Sequence, residues 1–501
     1  NDPRFGNMGT GGSRSIRTSW IIVRNAGAAA RVMLEPAAAA RWGVPLAEVH
    51  AENSMIIHSK SGKKLPFGDL AAEAAVLDVP KNVPLKKKSE HKLIGTSVPR
   101  IDAADKATGK ALFGCDHRFE GMVRAVVARC PVFGGKVKSF DPSAALAVPG
   151  VSQVVEIGSG VAVVADSTWT ALKGRQVLDI VWDEGPHAGL SSAEISALFA
   201  DKKPEDAAVM RNDGDFASAF GQSGAKIESV YELPYLSHSP MEPMNCTAWI
   251  EGDRCEVWVP TQSVSWAQGV AAEAAGVPRE NVRIQPTFAG GGFGRRLMVG
   301  YVQEAVEIAK ATGQKVQLFW TREETTRVGF CRPASRHTMA AALGENGLPV
   351  AWSHHLACPS ISGQLNPDNP VYGRDEGAVD GAATLPYEID NVRVLYSMAN
   401  TPVSICWLRS VYNTQNALAN ECFLDELAHT AGKDPVQYRL DLLPKDSRLR
   451  GTLELAARTW GWPRKLPAGH GQGIASHSCF ASHATNIAEI STDGDRVRVH
   501  K

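Results

Sequence analysis

The sequence predicts a multidomain α+β protein, and three observations carry that expectation. Its 501 residues exceed what one hydrophobic core usually holds. Short runs with period-two alternation are interleaved with apolar-periodic helical runs, and no fixed-period repeat of a solenoid or propeller accompanies them. From Val282 to Ala311, VRIQPTFAGGGFGRRLMVGYVQEAVEIAKA, an alternating strand enters a glycine-rich loop and an apolar-periodic helix follows. Hydrophobic content of 44% and charged content of 21% are ordinary for folded domains. Lys+Arg and Asp+Glu stand at 53 each, a formal net charge of zero that gives no reason to expect nucleic acid or an anionic membrane surface.

Residues 1–89 open with PRFGNMGTGGSRSIRTSW, which places a Gly9-Thr10-Gly11-Gly12-Ser13 turn beside Arg14 and Arg17. An alanine-rich helical pattern runs from Ile21 to Arg41 with an interruption expected at Pro36. PKNVPLKKKS, ending at Ser89, is proline-punctuated and basic and reads as a linker with a domain boundary after it. Residues 90–186 hold the strand runs MVRAVVARCP, VSQVVEI, VAVVADS and VLDIVWD with the helical SAALAV and TALKGR between them, the pattern of a small α+β domain. Residues 187–342 begin with a polar connector and then carry IESVYEL, TAWIEGDRCEVWVPTQ with a Gly-Asp turn, the helix-like SWAQGVAAEAAG, and the glycine loop. Residues 343–501 continue that region, with a hairpin about Asn346-Gly347 and helical periodicity from Asn416 to Leu443 broken at Gly432-Lys433-Asp434.

The nine cysteines, Cys115, Cys130, Cys246, Cys255, Cys331, Cys358, Cys406, Cys422 and Cys479, form no CxxC. That scatter fits neither a disulfide framework nor zinc, an iron–sulfur cluster or haem attachment, so electron carriers are expected on partner chains. No apolar run reaches the roughly 18 residues of a membrane span. The chain starts at Asn1 and stops at Lys501 directly after the alternating RVRVH, and both ends read as cut from something longer.

Three consecutive glycines would each cost about 0.5–1 kcal/mol in a helix or strand interior, so their use in Gly290, Gly291, Gly292, Phe293, Gly294, Arg295, Arg296 is conformational. Free amides, a following helix start and two arginines suit an anion. The same stretch reads equally as a turn that packs a strand against a helix. GxGxxG fails, since Arg295 stands where the third glycine belongs, and no Gly-Lys-Ser/Thr closes a P-loop. Gln262 follows the VWVP strand, where its amide can donate to an oxo or carbonyl oxygen or cap the next helix. Glu242, His238, His337, His354 and His355 have no partner visible in sequence and read as structural, and HExxH and GxSxG are both absent. Arg409 in CWLRSVY is a second anion clamp or a surface ion-pair residue. Gly/Arg sites at 9–17, 290–296 and 409 together suggest one large polyanionic ligand held from several directions.

The ordered set resembles one family. Arg100-Ile101-Asp102 through Phe113 is similar to the opening of the hammerhead domain of the aldehyde oxidase and xanthine dehydrogenase family. TQ, GGGFGRR, TREE, LRS and ECFLDELA follow in that family's order, while GTGGSRSIRTSW and GQGIASHSCF resemble isoquinoline 1-oxidoreductase β subunits and membrane-bound aldehyde dehydrogenase large subunits. The resemblance implies a multidomain molybdopterin-binding subunit, with molybdenum held by the pterin and not through Cys or His, and with the cytosine dinucleotide form of the cofactor. Gly291, Gly292, Phe293 and Gly294 would lie against the metal side, with Gly290 and Arg295 completing that cofactor-binding loop. Gln262 would hydrogen-bond an oxo ligand, Arg409 would hold the pterin, and Thr10, Gly11, Gly12, Ser13 and Ser15 would bind pterin or phosphate. Such enzymes hydroxylate an electron-poor carbon of an aldehyde or N-heteroaromatic ring with water and pass electrons to a small two-iron two-sulfur subunit, in many relatives with a cytochrome c partner. Placement in the periplasm or on the periplasmic face of the inner membrane is expected on the same ground, with the cytoplasm as alternative.

Two departures stand out. The family's base glutamate lies in a GxGE motif that does not occur before Lys501, which reads as a fragment, or alternatively as a non-catalytic scaffold of the same fold. Gly294-Arg295-Arg296-Leu297 also replaces the Gly-Gly-Lys-Glu of xanthine dehydrogenases and argues against purine. An NAD-linked dehydrogenase, the third reading, is opposed by the failed GxGxxG spacing.

Overall fold

The computed structural model describes residues 6–367 and 373–501, so the first residues of the PRFGNM stretch lie outside it. The chain forms two compact units, one of residues 10–111 and one of residues 112–501 together with the segment ending at Gly9.

In the smaller unit a helix, α1 (Trp20–Trp42), packs on a three-stranded antiparallel sheet of β1 (Val49–Glu52), β2 (Met55–His58) and β3 (Lys64–Pro66). Leu34, Ala37, Ala38 and Ala39 of α1 bury against Val49, Ile56 and Leu70. The expected interruption at Pro36 does not occur, because the helix runs through it. Burial of the alanine and leucine stripe on both sides of Pro36 offsets the one backbone bond that proline removes. The basic linker is held along α1 by Arg24 and Arg31, which donate to the carbonyls of Lys86 and Pro84. Residues 90–111 belong to this unit.

The larger unit contains two mixed sheets. The strands β4 (Val123–Ala128), β5 (Val151–Ile157) and β6 (Gly160–Ala165) are followed by β7 (Ala208–Asp213), β8 (Ala225–Leu233), β9 (Asn245–Glu251) and β10 (Arg254–Val259). Next come α2 (Val264–Ala275), β11 (Val282–Pro286), α3 (Gly300–Thr312) and β12 (Val316–Phe319). The first sheet has seven strands in the order β11-β10-β9-β12-β4-β6-β5. Thus the strands around 123–165 share one sheet with those of 245–319, joined by the parallel pairing of Val316 with Val123. Ala125, Val126 and Val127 are fully buried, which a strand achieves only with neighbours on both edges and cover on both faces. Helices α2 and α3 cover this sheet through Ala267, Ala271, Val302, Ala305 and Val306.

The second sheet, ordered β8-β13-β14-β15-β7, is completed by β13 (Ser335–Leu343), β14 (Pro349–Cys358) and β15 (Asn391–Met398). The hairpin joining β13 to β14 turns at Gly347 as the sequence predicts. The helix α4 (Asn413–Thr430) packs on it, α5 (Pro435–Leu442) packs against α4 and against α6 (Arg448–Trp460), and Asp434 caps α5 at the expected polar break. The chain ends in an antiparallel sheet of β16 (His470–Cys479), β17 (Ser482–Asp493) and β18 (Arg496–Val499). Among the described residues, no helix is long and apolar enough to cross a membrane.

Candidate cofactor site

Parallel pairing of β10 with β11 brings the ends of both strands to one edge, so Thr261-Gln262 and the glycine loop lie side by side. The backbone N–H of Gln262 and the hydroxyl of Thr261 both donate to Arg296 O. Under the loop lies Glu242, 7% exposed. Its Oε1 accepts from Cys115 N at 3.1 Å and Asn245 Nδ2 at 2.9 Å, and its Oε2 from Gly290 N at 2.8 Å and Arg296 Nη2 at 3.0 Å. Arg296 is fully buried and spends three further donors on the carbonyls of Gly291, Pro260 and Glu242. A buried carboxylate and guanidinium with their donors and acceptors matched in this way form a structural clamp.

The arginine forks expected to meet an anion are therefore turned inward. Arg295 is 1% exposed, donates to Met298 O, and lies 5.3 Å from the Trp320 ring centre and 5.1 Å from that of Phe330. The helix start is also displaced: a 3₁₀ turn, Arg295–Leu297, separates the loop from α3. Donors near the loop are its own amides.

Two glycines are required by the protein itself. At Gly294, with φ 104°, a Cβ would lie 1.6 Å from Trp407 O. At Gly290 it would lie 2.5 Å from Glu242 Cβ and 3.3 Å from Glu242 N. Close packing on the protein thus takes up glycine freedom assigned from sequence to ligand approach.

The outer face differs. Among the described residues, the amides of Gly291, Gly292 and Phe293 have no acceptor, and the Phe293 side chain is 45% exposed with φ 56°. Phe293 O accepts from Arg409 N at 2.8 Å, which brings the 404–411 segment onto the loop. Arg409 is exposed, and among the described residues its guanidinium makes no hydrogen bond. Ser410 and Val411 follow with φ 71° and 54°, a left-handed conformation that is a genuine outlier for β-branched valine. Gln262 Oε1 accepts from Gly294 N at 3.0 Å, so its carboxamide oxygen is fixed by the loop.

Thr10, Gly11, Gly12, Ser13 and Ser15 lie in the smaller unit. Gly12 and Ser13 have positive φ, Arg17 donates to Gly12 O, and Thr10, Gly12, Ser13 and Ser15 are exposed. The segment before them is pinned beside Gln262: Gly9 bridges Ser263, Met8 N donates to Ser265 Oγ, and Met8 O accepts from Val264 N.

Sequence reasoning missed the polar face of α4. Asn413, Gln415, Asn416, Asn420 and Glu421 are all buried there, and the recurrence at 413, 416 and 420 was the available signal. Gln415 is fully buried with neither amide atom hydrogen-bonded among the described residues. Beneath α4 runs a chain of bonds from Ser335 Oγ to His337 Nε2, His337 Nδ1 to His354 Nε2, and His354 Nδ1 to Asn420 Oδ1, at 2.8, 2.8 and 3.1 Å. Burial pushes His354 down to about 4 and His337 well below its ordinary value, so both are neutral. Among the described residues, no cluster of three or more His, Cys, Asp or Glu could hold a metal ion.

Acceptor-free amides beside an exposed arginine and a carboxamide form a donor-lined face, which fits a cofactor rich in phosphate, oxo and thiolate acceptors. Residues 199–442 match the molybdopterin cofactor-binding domain family. Isoquinoline 1-oxidoreductase subunit beta of Brevundimonas diminuta is 27% identical over 97% of this chain and 68% of its own length. The membrane-bound aldehyde dehydrogenase of Gluconacetobacter polyoxogenes, whose name carries pyrroloquinoline quinone, is 30% identical over 90% of this chain and 61% of its own. The solved quinoline 2-oxidoreductase of Pseudomonas putida 86 shares the fold, with a TM-score of 0.64 and 19% identity over 78% of this chain and 58% of that one. Residues 199–442 therefore form a molybdopterin-binding domain. More narrowly, the chain is related to the large subunits of the molybdenum hydroxylases, the xanthine dehydrogenase and aldehyde oxidase family. It spans roughly 60–70% of the length of these two curated relatives.

Proposed function

We propose that this chain is the cofactor-bearing part of an oxidoreductase that hydroxylates an aldehyde or N-heteroaromatic carbon with water. The observation that supports it most is the outer face of the loop, where, among the described residues, the amides of Gly291, Gly292 and Phe293 lack acceptors beside Arg409. When bound, molybdopterin with its molybdenum supplies two-electron oxidation of an electron-poor carbon. The loop amides bind its anionic atoms, Arg409 holds the pterin, and the amide group of Gln262 orients an oxo ligand. Thr10, Gly11, Gly12, Ser13 and Ser15 take pterin or phosphate, and the cytosine dinucleotide form is the cofactor we assign. A small two-iron two-sulfur subunit, in some assemblies with a cytochrome c, accepts the electrons, and the complex works in the periplasm.

Metal and pterin analysis of the full-length protein purified with its partners tests the reading. Stoichiometric molybdenum and pterin, with CMP released on acid hydrolysis, are the expected result. Protein that assembles with its partner yet carries neither leaves a non-catalytic scaffold and overturns the proposal.

A further inference from the structure

The sequence HSPMEP supplies Glu242 to the clamp, and its histidine has a separate place in the fold. His238 follows the two-residue strand Leu236–Ser237, which pairs with Cys331–Arg332, and Cys331 in turn bridges Ile405. Three segments therefore converge on the imidazole, which is 7% exposed. Nε2 lies 2.9 Å from Trp407 O and 3.6 Å from Cys406 Sγ, and Nδ1 lies 3.2 Å from Phe330 O. Trp407 O is the atom on which Gly294 closes, and Arg409, two residues on, donates its amide to Phe293 O. Both ring nitrogens face carbonyl oxygens and a neutral imidazole has one N–H to donate, so the shorter contact, 2.9 Å from Nε2 to Trp407 O, takes the hydrogen.

We propose that His238 is a positioning residue for the glycine loop: its Nε2–H donates to Trp407 O and keeps the segment bearing Arg409 seated on Gly294 and Phe293. The meaning of this for cofactor binding rests on the molybdopterin reading above, but the geometry does not. The groups facing the ring are the buried Arg295 guanidinium from the loop, the Cys406 thiol from the 404–408 segment, and the carbonyls of Phe330 and Trp407. A proton on Nδ1 would gain the Phe330 carbonyl but would place a second cation beside Arg295 in a dry site. Burial outweighs the two carbonyls and, with Arg295, holds the imidazole below its ordinary value. Opening the segment exposes the ring to water, where it binds a proton more readily. The sign follows: the seat is firm above the ordinary imidazole pKa of about 6.5 and loosens as pH falls below it.

Hydrogen–deuterium exchange of the full-length protein, followed in peptides covering 290–297 and 405–411 and corrected for intrinsic rates, reads the seat directly. His238→Ala should speed exchange of both peptides by about tenfold, the order expected for one buried hydrogen bond, while peptides of α3 and α5 stay unchanged. His238→Gln retains a donor without titrating, so it should restore most of the protection at pH 7.5. Between pH 7 and 5 the wild-type peptides should lose protection and those of His238→Gln should not. Unchanged exchange in His238→Ala overturns the proposal, as does an identical pH response in His238→Gln. If His238→Ala does not fold, the pH comparison of wild type with His238→Gln decides alone. Failure to find molybdenum, in contrast, would leave these rates as they are and strike only the cofactor reading.

Discussion

On the inner face of the 290–296 loop, Glu242 and Arg296 meet each other's donors and acceptors almost out of reach of water. On its outer face, Gly291, Gly292 and Phe293 present amides without acceptors among the described residues, and the chain opposite is held in a strained conformation at Ser410 and Val411. One loop therefore carries two kinds of polar group. Those inside are satisfied and serve stability. Those outside are unsatisfied and strained, and in a folded protein such groups persist where a ligand completes them. If that division holds, substitutions on the two faces must separate: the inner face should cost folding with its ligand consequences secondary, and the outer face should cost ligand with folding intact.

The inner face should give the largest effect. Glu242→Leu leaves the Arg296 guanidinium buried without a counter-charge, and a loss of about 3–5 kcal/mol is expected. Calorimetry should show it as a clear drop in the transition of the larger unit. Adding Arg296→Met removes the orphaned charge and should recover a large part of the loss. Full additivity of the two substitutions would mean that the pair is not coupled and that the clamp is misread.

A second effect comes from the histidines under α4, which extend the satisfied interior beyond the loop. Unfolded imidazoles titrate near 6.5, whereas His354 in the fold is pushed down to about 4. Between those values the unfolded chain binds a proton that the native chain refuses, so stability is full above about pH 6.5 and falls as pH drops toward 4. His354 alone accounts for about 3 kcal/mol of that slope. Denaturation measured across pH 4–7 checks it, and a flat profile would show that water or another donor reaches the pair.

These two interior features were the least legible in the sequence. Strand, turn and helix around the loop were readable, because glycine, proline and apolar periodicity act over a few residues. The order of motifs also pointed to the family. The direction of Arg295 and Arg296 was not readable, because it is set by Glu242, which lies 54 residues from Arg296, and by the rings of Trp320 and Phe330. The same holds for His238, whose partners lie 92 and 169 residues away. Pro36 misled for a different reason: a local rule against proline was overridden by the burial of Leu34 before it and of Ala37, Ala38 and Ala39 after it.

Gln262 stands between the faces, since its oxygen serves the loop through Gly294 N. Gln262→Ala should lower kcat by about tenfold or more, the loss of one directed hydrogen bond of roughly 1.5–3 kcal/mol, with a smaller cost in stability. An unchanged rate would assign Gln262 wholly to the inner face.

Arg409 should give the smallest stability effect and the cleanest separation. Its guanidinium makes no hydrogen bond among the described residues, so Arg409→Ala should change unfolding free energy by no more than about 0.5 kcal/mol. Cofactor retention, measured as molybdenum and pterin left after dialysis, should nonetheless fall by about tenfold or more if the fork makes a charge-assisted bond. Arg409→Lys keeps the charge but not the planar fork, and retention between that of wild type and of alanine would show that geometry counts as well as charge. Equal retention in all three proteins would mean that the strain at Ser410 and Val411 serves something other than this arginine, and the outer face would then have to be read from the loop amides alone.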